Sequence, residues 1–205
     1  MAKRGDQLRE HILYASKDVF LEMGFERTSM DEIARRAETS KRSLYAHFES
    51  KESLFLEVLE LVRGLFLGKL KMPADYGTNA VEALVQFCGR YLEILLFERA
   101  VQMCRITIAE STRFPEGAAQ YFEVMFLEPQ TRISTYLRKR FEMTPKAATE
   151  AAQGLMGTLL YPRLERALLG MDPLAPGFDD ERLDPGFDLK PVRRAVVTLI
   201  ESIED

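Results

Sequence analysis

Apolar residues recur at intervals of three and four positions along this chain of 205 residues, and no segment alternates apolar with polar residues as a strand would. The spacing predicts helices throughout. The first helix extends from about residue 6 to residue 23, and Gly24 ends it. Its apolar stripe consists of Ile12, Ala15, Val19, Phe20 and Met23.

Two short helices joined by a tight turn are predicted next. Ser29 and Glu32 have the spacing of a capping box, so one helix begins at Met30. Its inward stripe consists of Met30, Ile33, Ala34 and Ala37. Ser40 is a favourable N-cap for the other helix, residues 41 to 48, in which Leu44 and Phe48 face inward.

Hydrogen-bond donors crowd the N-terminal end of the helix 41 to 48. From residue 35 to residue 47 there are four Lys or Arg against one Glu, although the whole chain has a formal net charge of -4. Such cations bind phosphate with release of counterions, and Arg is the commonest reader of guanine. An ordinary amphipathic surface helix would divide apolar from polar residues in the same way. The concentration of donors at this end favours a helix that enters a DNA major groove.

The residues from 20 to 54 carry a specific pattern. Its members are Phe20, Gly24, Phe25, Thr28, Ile33, Ala34, Ala37, Ser40, Lys41, Leu44, Tyr45, His47, Phe48, Ser50, Lys51, Glu52 and Leu54. The pattern resembles that of the TetR/AcrR family of one-component transcriptional regulators, over about residues 8 to 60. The resemblance implies an all-α fold of about nine helices. A three-helix, helix-turn-helix DNA-binding domain (residues 1–50) would be joined to a larger helical effector-binding and dimerisation domain (residues 51–205).

The resemblance also implies DNA contacts. In similar proteins the residues matching Arg42 and Ser43 approach bases, and the residue matching Lys41 approaches either bases or phosphates. The residues expected to hold phosphates are Thr28, Tyr45, His47 and Lys51. Thr39 and Ser40, in the turn before the second short helix, complete the predicted DNA-binding set.

Glu38 departs from the family pattern. The family usually has Gly at this joint, which tends to need a left-handed backbone. We therefore expect a strain of about 1 kcal/mol or a slightly different turn at Glu38. Its negative charge would also lower the affinity for DNA.

Six further helical stretches follow. They cover about residues 50 to 71, 79 to 97, 99 to 112, 116 to 141, 145 to 169 and 188 to 203. The segment from Gly170 to Pro191 is rich in Pro, Gly and Asp and shows no apolar period. It is expected to be an exposed and partly mobile loop.

The middle helices carry polar and sulfur-containing side chains on otherwise apolar stretches. An apolar cavity with a few oriented polar groups suits a small organic effector, whose identity the sequence does not name. The candidate ligand-binding residues are Cys88, Tyr91, Met103, Thr107, Tyr121, Phe122, Met125, Gln153 and Tyr161. Each of them, taken alone, also fits core packing or an ordinary surface position.

Small residues concentrate in the stretch 145 to 169. Glycine within a helix costs about 1 kcal/mol relative to Ala, so its presence indicates that another helix comes close. In similar proteins the last two long helices pair with their twofold copies as a four-helix bundle, and a homodimer suits a palindromic operator. The predicted interface consists of Ala151, Gly154, Gly157, Val196, Leu199, Ile200 and Ile203. Alternatively, both helices fill the core of a monomer.

Several classes of function are disfavoured. The two cysteines, Cys88 and Cys104, lie in apolar helical stretches and indicate core thiols rather than a zinc site or a disulfide framework. Catalytic motifs such as a nucleophile elbow, a phosphate-binding glycine loop or HExxH are absent, so no enzyme and no cofactor is expected. Without a run of eighteen apolar residues or a signal-peptide pattern, we expect a cytoplasmic protein and no membrane partner.

The sequence therefore predicts a dimeric regulator, a repressor, that binds double-stranded operator DNA and is released by a small-molecule effector. The alternative is a helical ligand-binding or protein-interaction module without specific DNA binding. Glu38 and the acidic net charge favour that alternative.

Overall fold

A computed structural model describes residues 2–204, which contain helices and turns but no strand. The prediction of an all-α chain is confirmed. The helices are α1 (Ala2–Arg27), α2 (Met30–Arg36), α3 (Lys41–His47), α4 (Lys51–Lys69), α5 (Ala80–Leu96), α6 (Glu98–Ala109), α7 (Pro115–Phe122), α8 (Glu128–Arg140), α9 (Pro145–Leu160), α10 (Arg163–Leu168) and α11 (Lys190–Glu204). Within this range, no helix is both long enough and apolar enough to cross a bilayer.

The predicted helix ends are largely confirmed. Gly24 interrupts α1 with a φ of 74° and a ψ of 171°. Ser29 caps α2 by accepting from the Glu32 N–H at 3.2 Å, and Ser40 caps α3 by accepting from the Ser43 N–H at 3.1 Å. Only half of the capping box forms, because the Glu32 carboxylate accepts two hydrogen bonds from Arg35, at 2.9 and 2.6 Å.

Two predicted long helices are interrupted. The stretch 145 to 169 is not continuous: α9 ends at Leu160 and α10 begins at Arg163. Pro162 lacks an N–H and disfavours helical geometry in the residue before it, and Tyr161 accordingly has a φ of -80° and a ψ of 133°. The stretch 116 to 141 contains a π-helical turn, Glu123–Leu127, between α7 and α8. The described residues therefore form more helices than the sequence predicts.

The chain divides into two compact units. The first comprises the residues up to Leu65 together with Gln102–Tyr121. Four aromatic rings, those of Phe20, Phe25, Phe55 and Phe114, pack together in its core. The predicted domain division after residue 50 stays a prediction.

The second unit comprises Phe66–Val101 and the residues from Phe122 onward. Its central helix is α5, which is buried almost continuously from Ala83 to Leu95. Helix α5 packs against α11, and α9 packs against both α8 and α11. Val192, Val196 and Ile200 form the buried face of α11.

The loop between α10 and α11 is mostly exposed, as predicted, but it is anchored to α5. Arg90 is buried and donates to the carbonyls of Asp180 and Arg182, each at 3.0 Å. The same guanidinium pairs with Glu93 at 2.7 Å, and Glu93 accepts from the Asp184 N–H at 2.8 Å. The buried charges thus have partners in the loop, as burial requires. The sequence pattern showed the loop's composition but not these anchors.

Candidate nucleic-acid interface

The α2–α3 pair is held by apolar contacts and by a tight turn. Ile33 and Leu44 are fully buried, and Phe48 is nearly so. The turn closes where the Thr39 N–H donates to the Ala34 carbonyl at 2.9 Å. Glu38 occupies the left-handed region with a φ of 47°, so the expectation that this joint needs a left-handed backbone is confirmed. Glu38 thus adopts a left-handed backbone, which is sterically unfavourable for a residue with a Cβ atom.

The predicted DNA contacts on and before α3 are largely accessible. Ser40, Lys41, Arg42 and Tyr45 are exposed, and Thr39, Ser43 and His47 are half-buried. The buried Leu44 lies on the other side of the same helix, and the buried Phe48 is its C-cap residue. The fold therefore presents one polar face of α3, whose N-terminal end carries Lys41 and Arg42. Binding of DNA by these residues stays a prediction.

Two predicted phosphate contacts, Thr28 and Lys51, hydrogen-bond to backbone carbonyls near the end of α1. Thr28 is buried, and its hydroxyl donates to the Gly24 carbonyl at 2.7 Å. The Lys51 ammonium donates to the Phe25 carbonyl at 3.0 Å and lies 4.3 Å from the centre of the Phe25 ring. In this structure both side chains support the α1–α2 connection, so a phosphate would have to share or replace these contacts.

Acidic side chains neutralise much of the positive charge that the sequence count indicated. Arg36 pairs with Glu22, and Lys41 pairs with Asp31, at 2.6 and 2.7 Å.

Arg35 also forms an ion pair, with Glu32. Its two hydrogen bonds hold the pKa of the Glu32 carboxyl below the ordinary value. Arg42, by contrast, is exposed and has no acidic partner among the described residues. It is therefore the cation of α3 that is free to meet an anion without first breaking an ion pair.

Residues from the α6–α7 junction complete the first unit, and the sequence reasoning did not assign them to it. The ring centre of Phe114 lies 5.1 Å from that of Phe25 and 5.3 Å from that of Phe55. Arg113 pairs with Glu26 at 2.6 Å, and its guanidinium carbon lies 4.9 Å from the Phe25 ring centre. The end of α1 that supports α2 and α3 is thus itself supported by a later part of the chain.

The candidate ligand-binding residues are distributed over several environments. In the second unit Cys88, Tyr91 and Met125 are buried, and the Tyr91 hydroxyl donates to the Met125 carbonyl at 3.2 Å. The buried candidates of the first unit are Met103, Thr107 and Tyr121. The exposed candidates are Phe122, Gln153 and Tyr161. The structure brings Tyr91 and Met125 together, and the ligand site stays a prediction.

The candidate dimer residues fall into two groups. Gly154 and Gly157 are exposed, and a Cβ placed at either would have no neighbour within 4 Å. Ala151, Leu199 and Ile203 are half-buried. Val196 and Ile200 are buried within the second unit's own core. Gly154 and Gly157 of α9 therefore face solvent, whereas Val196 and Ile200 of α11 are already buried within the chain.

Two protein-family models match the chain. Residues 12–58 match that of the bacterial regulatory proteins of the tetR family. Residues 82–182 match the C-terminal domain of AefR-like transcriptional repressors. The first range contains α2, α3 and the predicted base-reading residues, and the second contains the buried helix α5.

Similar proteins are transcriptional regulators. The chain is 43% identical over 54 residues to the HTH-type transcriptional regulator QacR of Staphylococcus aureus, covering 26% of this chain and 29% of that protein. It is 33% identical over 93 residues to the HTH-type transcriptional repressor NicS of Pseudomonas putida, covering 44% of each. The chain thus matches less than half of the length of these curated relatives.

A solved structure, that of the Flavonoid-responsive Regulator FrrA, matches with a TM-score of 0.70 and 25% identity, covering 97% of this chain and 95% of that one. The likeness therefore extends over nearly the whole fold, beyond the helix-turn-helix. With the two family matches, it shows that the chain belongs to the TetR/AcrR family, whose members are transcriptional regulators and not enzymes.

Proposed function

We propose that this chain is a homodimeric transcriptional repressor that binds a palindromic operator and leaves it when a small organic effector binds. The observation that carries the proposal is the division of α3. Leu44 of α3 and its C-cap residue Phe48 are buried, whereas Arg42, which has no acidic partner among the described residues, is exposed near the N-terminal end of the helix. In a helix-turn-helix, that end of the second helix contacts base edges.

Within this proposal the DNA contacts have distinct roles. Arg42 and Ser43 read bases, and Lys41 contacts either bases or phosphates. The positioning contacts to phosphate are made by Thr28, Thr39, Ser40, Tyr45, His47 and Lys51. Phosphate contacts hold the protein in register, whereas base contacts discriminate between sequences.

Repression is supported by the family model that matches residues 82–182, which describes transcriptional repressors. The similarity to the transcriptional repressor NicS of Pseudomonas putida also supports repression. A dimer bound over a promoter blocks transcription by occupying the DNA. Effector binding then releases the promoter.

A small organic effector is supported by the similarity to a regulator named as flavonoid-responsive. The effector would bind among the middle helices, near the buried Tyr91 and Met125. Release would follow a population shift. The effector favours an arrangement of α4 and α6 in which the two α3 helices of the dimer no longer match the operator. The contacts of Arg113 and Phe114 with the end of α1 provide a physical connection for such a change inside the first unit.

A homodimer is supported by the two exposed glycines of α9. Gly154 and Gly157 leave open space on the surface of the second unit, where another helix could approach closely. Twofold symmetry would place the α3 helices of the two copies about one helical turn of DNA apart, or roughly 34 Å.

Selection of binding sites from a random duplex library tests this function. The purified protein should enrich an inverted repeat whose half-sites are centred about ten base pairs apart. Its affinity for the enriched site should fall steeply with added salt, because bound phosphates release counterions. An Arg42→Ala variant, selected in parallel, should enrich a less defined site.

The ion pairs of Arg36 and Lys41 favour a second candidate function. A helical module that binds ligands or proteins could carry the same surface without reading DNA. If the wild-type dimer enriches no sequence over random DNA at low salt, the repressor proposal fails and this second function stands.

A further inference from the structure

A pocket of about 370 Å³ lies between the C-terminal end of α5, helix α10 and the loop that joins α10 to α11. Small-molecule sites in proteins have volumes of about 300–1,000 Å³ and mostly apolar walls. The candidate ligand-binding residues of the middle helices do not line this pocket, which belongs to the second unit. Its apolar lining includes Leu96, Phe97, Ala167, Leu174, Ala175 and Phe187.

The loop forms one wall of this pocket and is held in place without a ligand. The Glu98 N–H donates to the Ala175 carbonyl at 2.9 Å. The ring of Phe178 meets the ring of Phe97 nearly at a right angle, with centroids 4.8 Å apart. The buried ion pair of α5 holds the same loop through the carbonyls of residues 180 and 182. The pocket is therefore preformed, and a preformed site loses less entropy when it binds a ligand.

Three charged side chains line the pocket among the described residues, and they are not equally satisfied. The Glu93 carboxylate pairs with Arg90 at 2.7 Å, and the Asp172 carboxylate pairs with Arg166 at 2.6 Å. Arg163 is half-buried, donates to a backbone carbonyl at 3.0 Å and has no acidic partner among residues 2–204. Both carboxylates are thus neutralised, and the positive charge of Arg163 is not.

The surroundings of Arg163 are also basic. Arg163 borders a second groove, of about 510 Å³, between α9 and α11, and Lys190 and Arg194 line that groove with it. The Asp188 carboxylate accepts from the Lys190 N–H at 3.0 Å and offsets part of this charge. Three cations near one carboxylate still give a positive local potential, which attracts an anion to Arg163.

We propose that the pocket binds a small apolar carboxylic acid, with its apolar body against Phe97 and Phe187 and its carboxylate on Arg163. A guanidinium group binds a carboxylate through two parallel hydrogen bonds. An amine of the same shape would meet the unpaired cation, and an alcohol would gain no ion pair. This second ligand site does not depend on DNA binding and stands whether or not the chain reads an operator.

Occupancy should hold the loop more firmly against α5. A ligand in the pocket contacts Leu174 and Ala175 of the loop together with Leu96 of α5, so it joins the two walls. A ligand that binds only the closed loop lowers the population of locally opened chains. The side chain of Arg182 is 79% exposed. Tryptic cleavage after Arg182 therefore reports how often the loop opens.

Calorimetric titration with three probes of one shape tests the pocket: 3-phenylpropanoate, 3-phenylpropylamine and 3-phenylpropanol. The wild type should bind the acid with a dissociation constant below about 1 mM, and the amine at least about tenfold more weakly. Arg163→Gln should weaken the acid about tenfold and leave the alcohol unchanged, because only the acid uses the guanidinium group. Arg138→Gln, which removes an exposed arginine of α8, is the matched control and should bind like the wild type.

Filling the pocket gives an independent test. Ala175→Phe adds a ring at an exposed position of the wall and should abolish binding of both acid and alcohol. Saturating acid should slow tryptic cleavage after Arg182 in the wild type and not in this variant, as mass spectrometry of the fragments would show. Circular dichroism should give the same helix content for all variants.

Three results would overturn the proposal: a wild type that does not bind the acid, a wild type that binds the amine as tightly, or an Arg163→Gln variant that retains full affinity for the acid. Unchanged cleavage after Arg182 with bound acid would contradict the closing of the loop. Selection of DNA sites tests the proposed repressor separately, so failure of one proposal leaves the other standing.

Discussion

The ring of Phe114 meets the ring of Phe25 nearly at a right angle, with centroids 5.1 Å apart and an interplanar angle of 77°. Phe25 follows the break in α1 at Gly24, and Phe114 lies between α6 and α7. Edge-to-face rings attract each other beyond the area that they bury. The contact joins the end of α1, which supports α2 and α3, to the α6–α7 junction, which follows α5 in the chain.

Replacing Phe114 with Ala should destabilise the protein. The side chain is 9% exposed, and loss of a buried ring costs about 3 kcal/mol in transfer and cavity energy. Phe122→Ala is the control, because that ring is 52% exposed and should cost less than about 1 kcal/mol. Urea unfolding at one fixed protein concentration measures both free energies. Equal losses for the two variants would show that Phe114 does not stabilise the core of the first unit.

Arg42→Ala and Lys51→Ala should affect DNA binding differently. Loss of Arg42 should cost about 1–3 kcal/mol at the selected operator and much less on random DNA, because a base contact is lost. Loss of Lys51 should weaken binding to both DNAs about equally and reduce the salt slope by about 1. Fluorescence anisotropy over a salt series separates the two effects. If both variants lose only general affinity, the assignment of Arg42 as a base reader is wrong.

Replacing Glu38 with Gly should stabilise the protein by about 1 kcal/mol, because Gly adopts the left-handed region without a steric penalty. Glu142→Gly is a matched control, since Glu142 also has a positive φ, 53°, and lies between α8 and α9. Thermal unfolding should show a similar gain for both variants. Only Glu38→Gly should also tighten DNA binding, because it removes a negative charge beside α3. A destabilised Glu38→Gly variant would contradict the strain at this turn.

The two thiols should be unreactive in the native protein near neutral pH. Burial raises the pKa of Cys88 to about 12 and that of Cys104 to about 11, so thiolate is scarce at pH 8. A chromogenic disulfide reagent should therefore react slowly with native protein and rapidly with both thiols in urea. Fast reaction of either thiol without denaturant would contradict this burial.

The same thiols give the pH dependence of stability a definite sign. Their pKa values are higher in the folded chain than in the unfolded chain, so their contribution is fully present below pH about 9. It is lost as the pH rises toward 11 and 12. The free energy of unfolding should accordingly fall over this range, and substitution of Cys88 by Ala should reduce that fall.

The left-handed joint at Glu38 was implied by the resemblance to the family, whereas the sequence by itself determined the helices and the caps at Ser29 and Ser40. These features depend on residues within about four positions of one another, so local spacing and backbone preference suffice to predict them. Even there, the local pattern failed at Tyr161, where the apolar period continued past the proline that ends the helix.

Only the tertiary structure decided which charges and rings meet. The pairing of Lys41 with Asp31 leaves Arg42 as the free cation of α3 within the described residues, and Phe114 joins the first unit from far along the chain. Arg90 likewise anchors a loop some ninety residues away, with a separation of 92 to Arg182. Such contacts depend on distances that the fold creates between remote segments. No local periodicity encodes them, and the same physical reason separates the motif that could be predicted from the surroundings that could not.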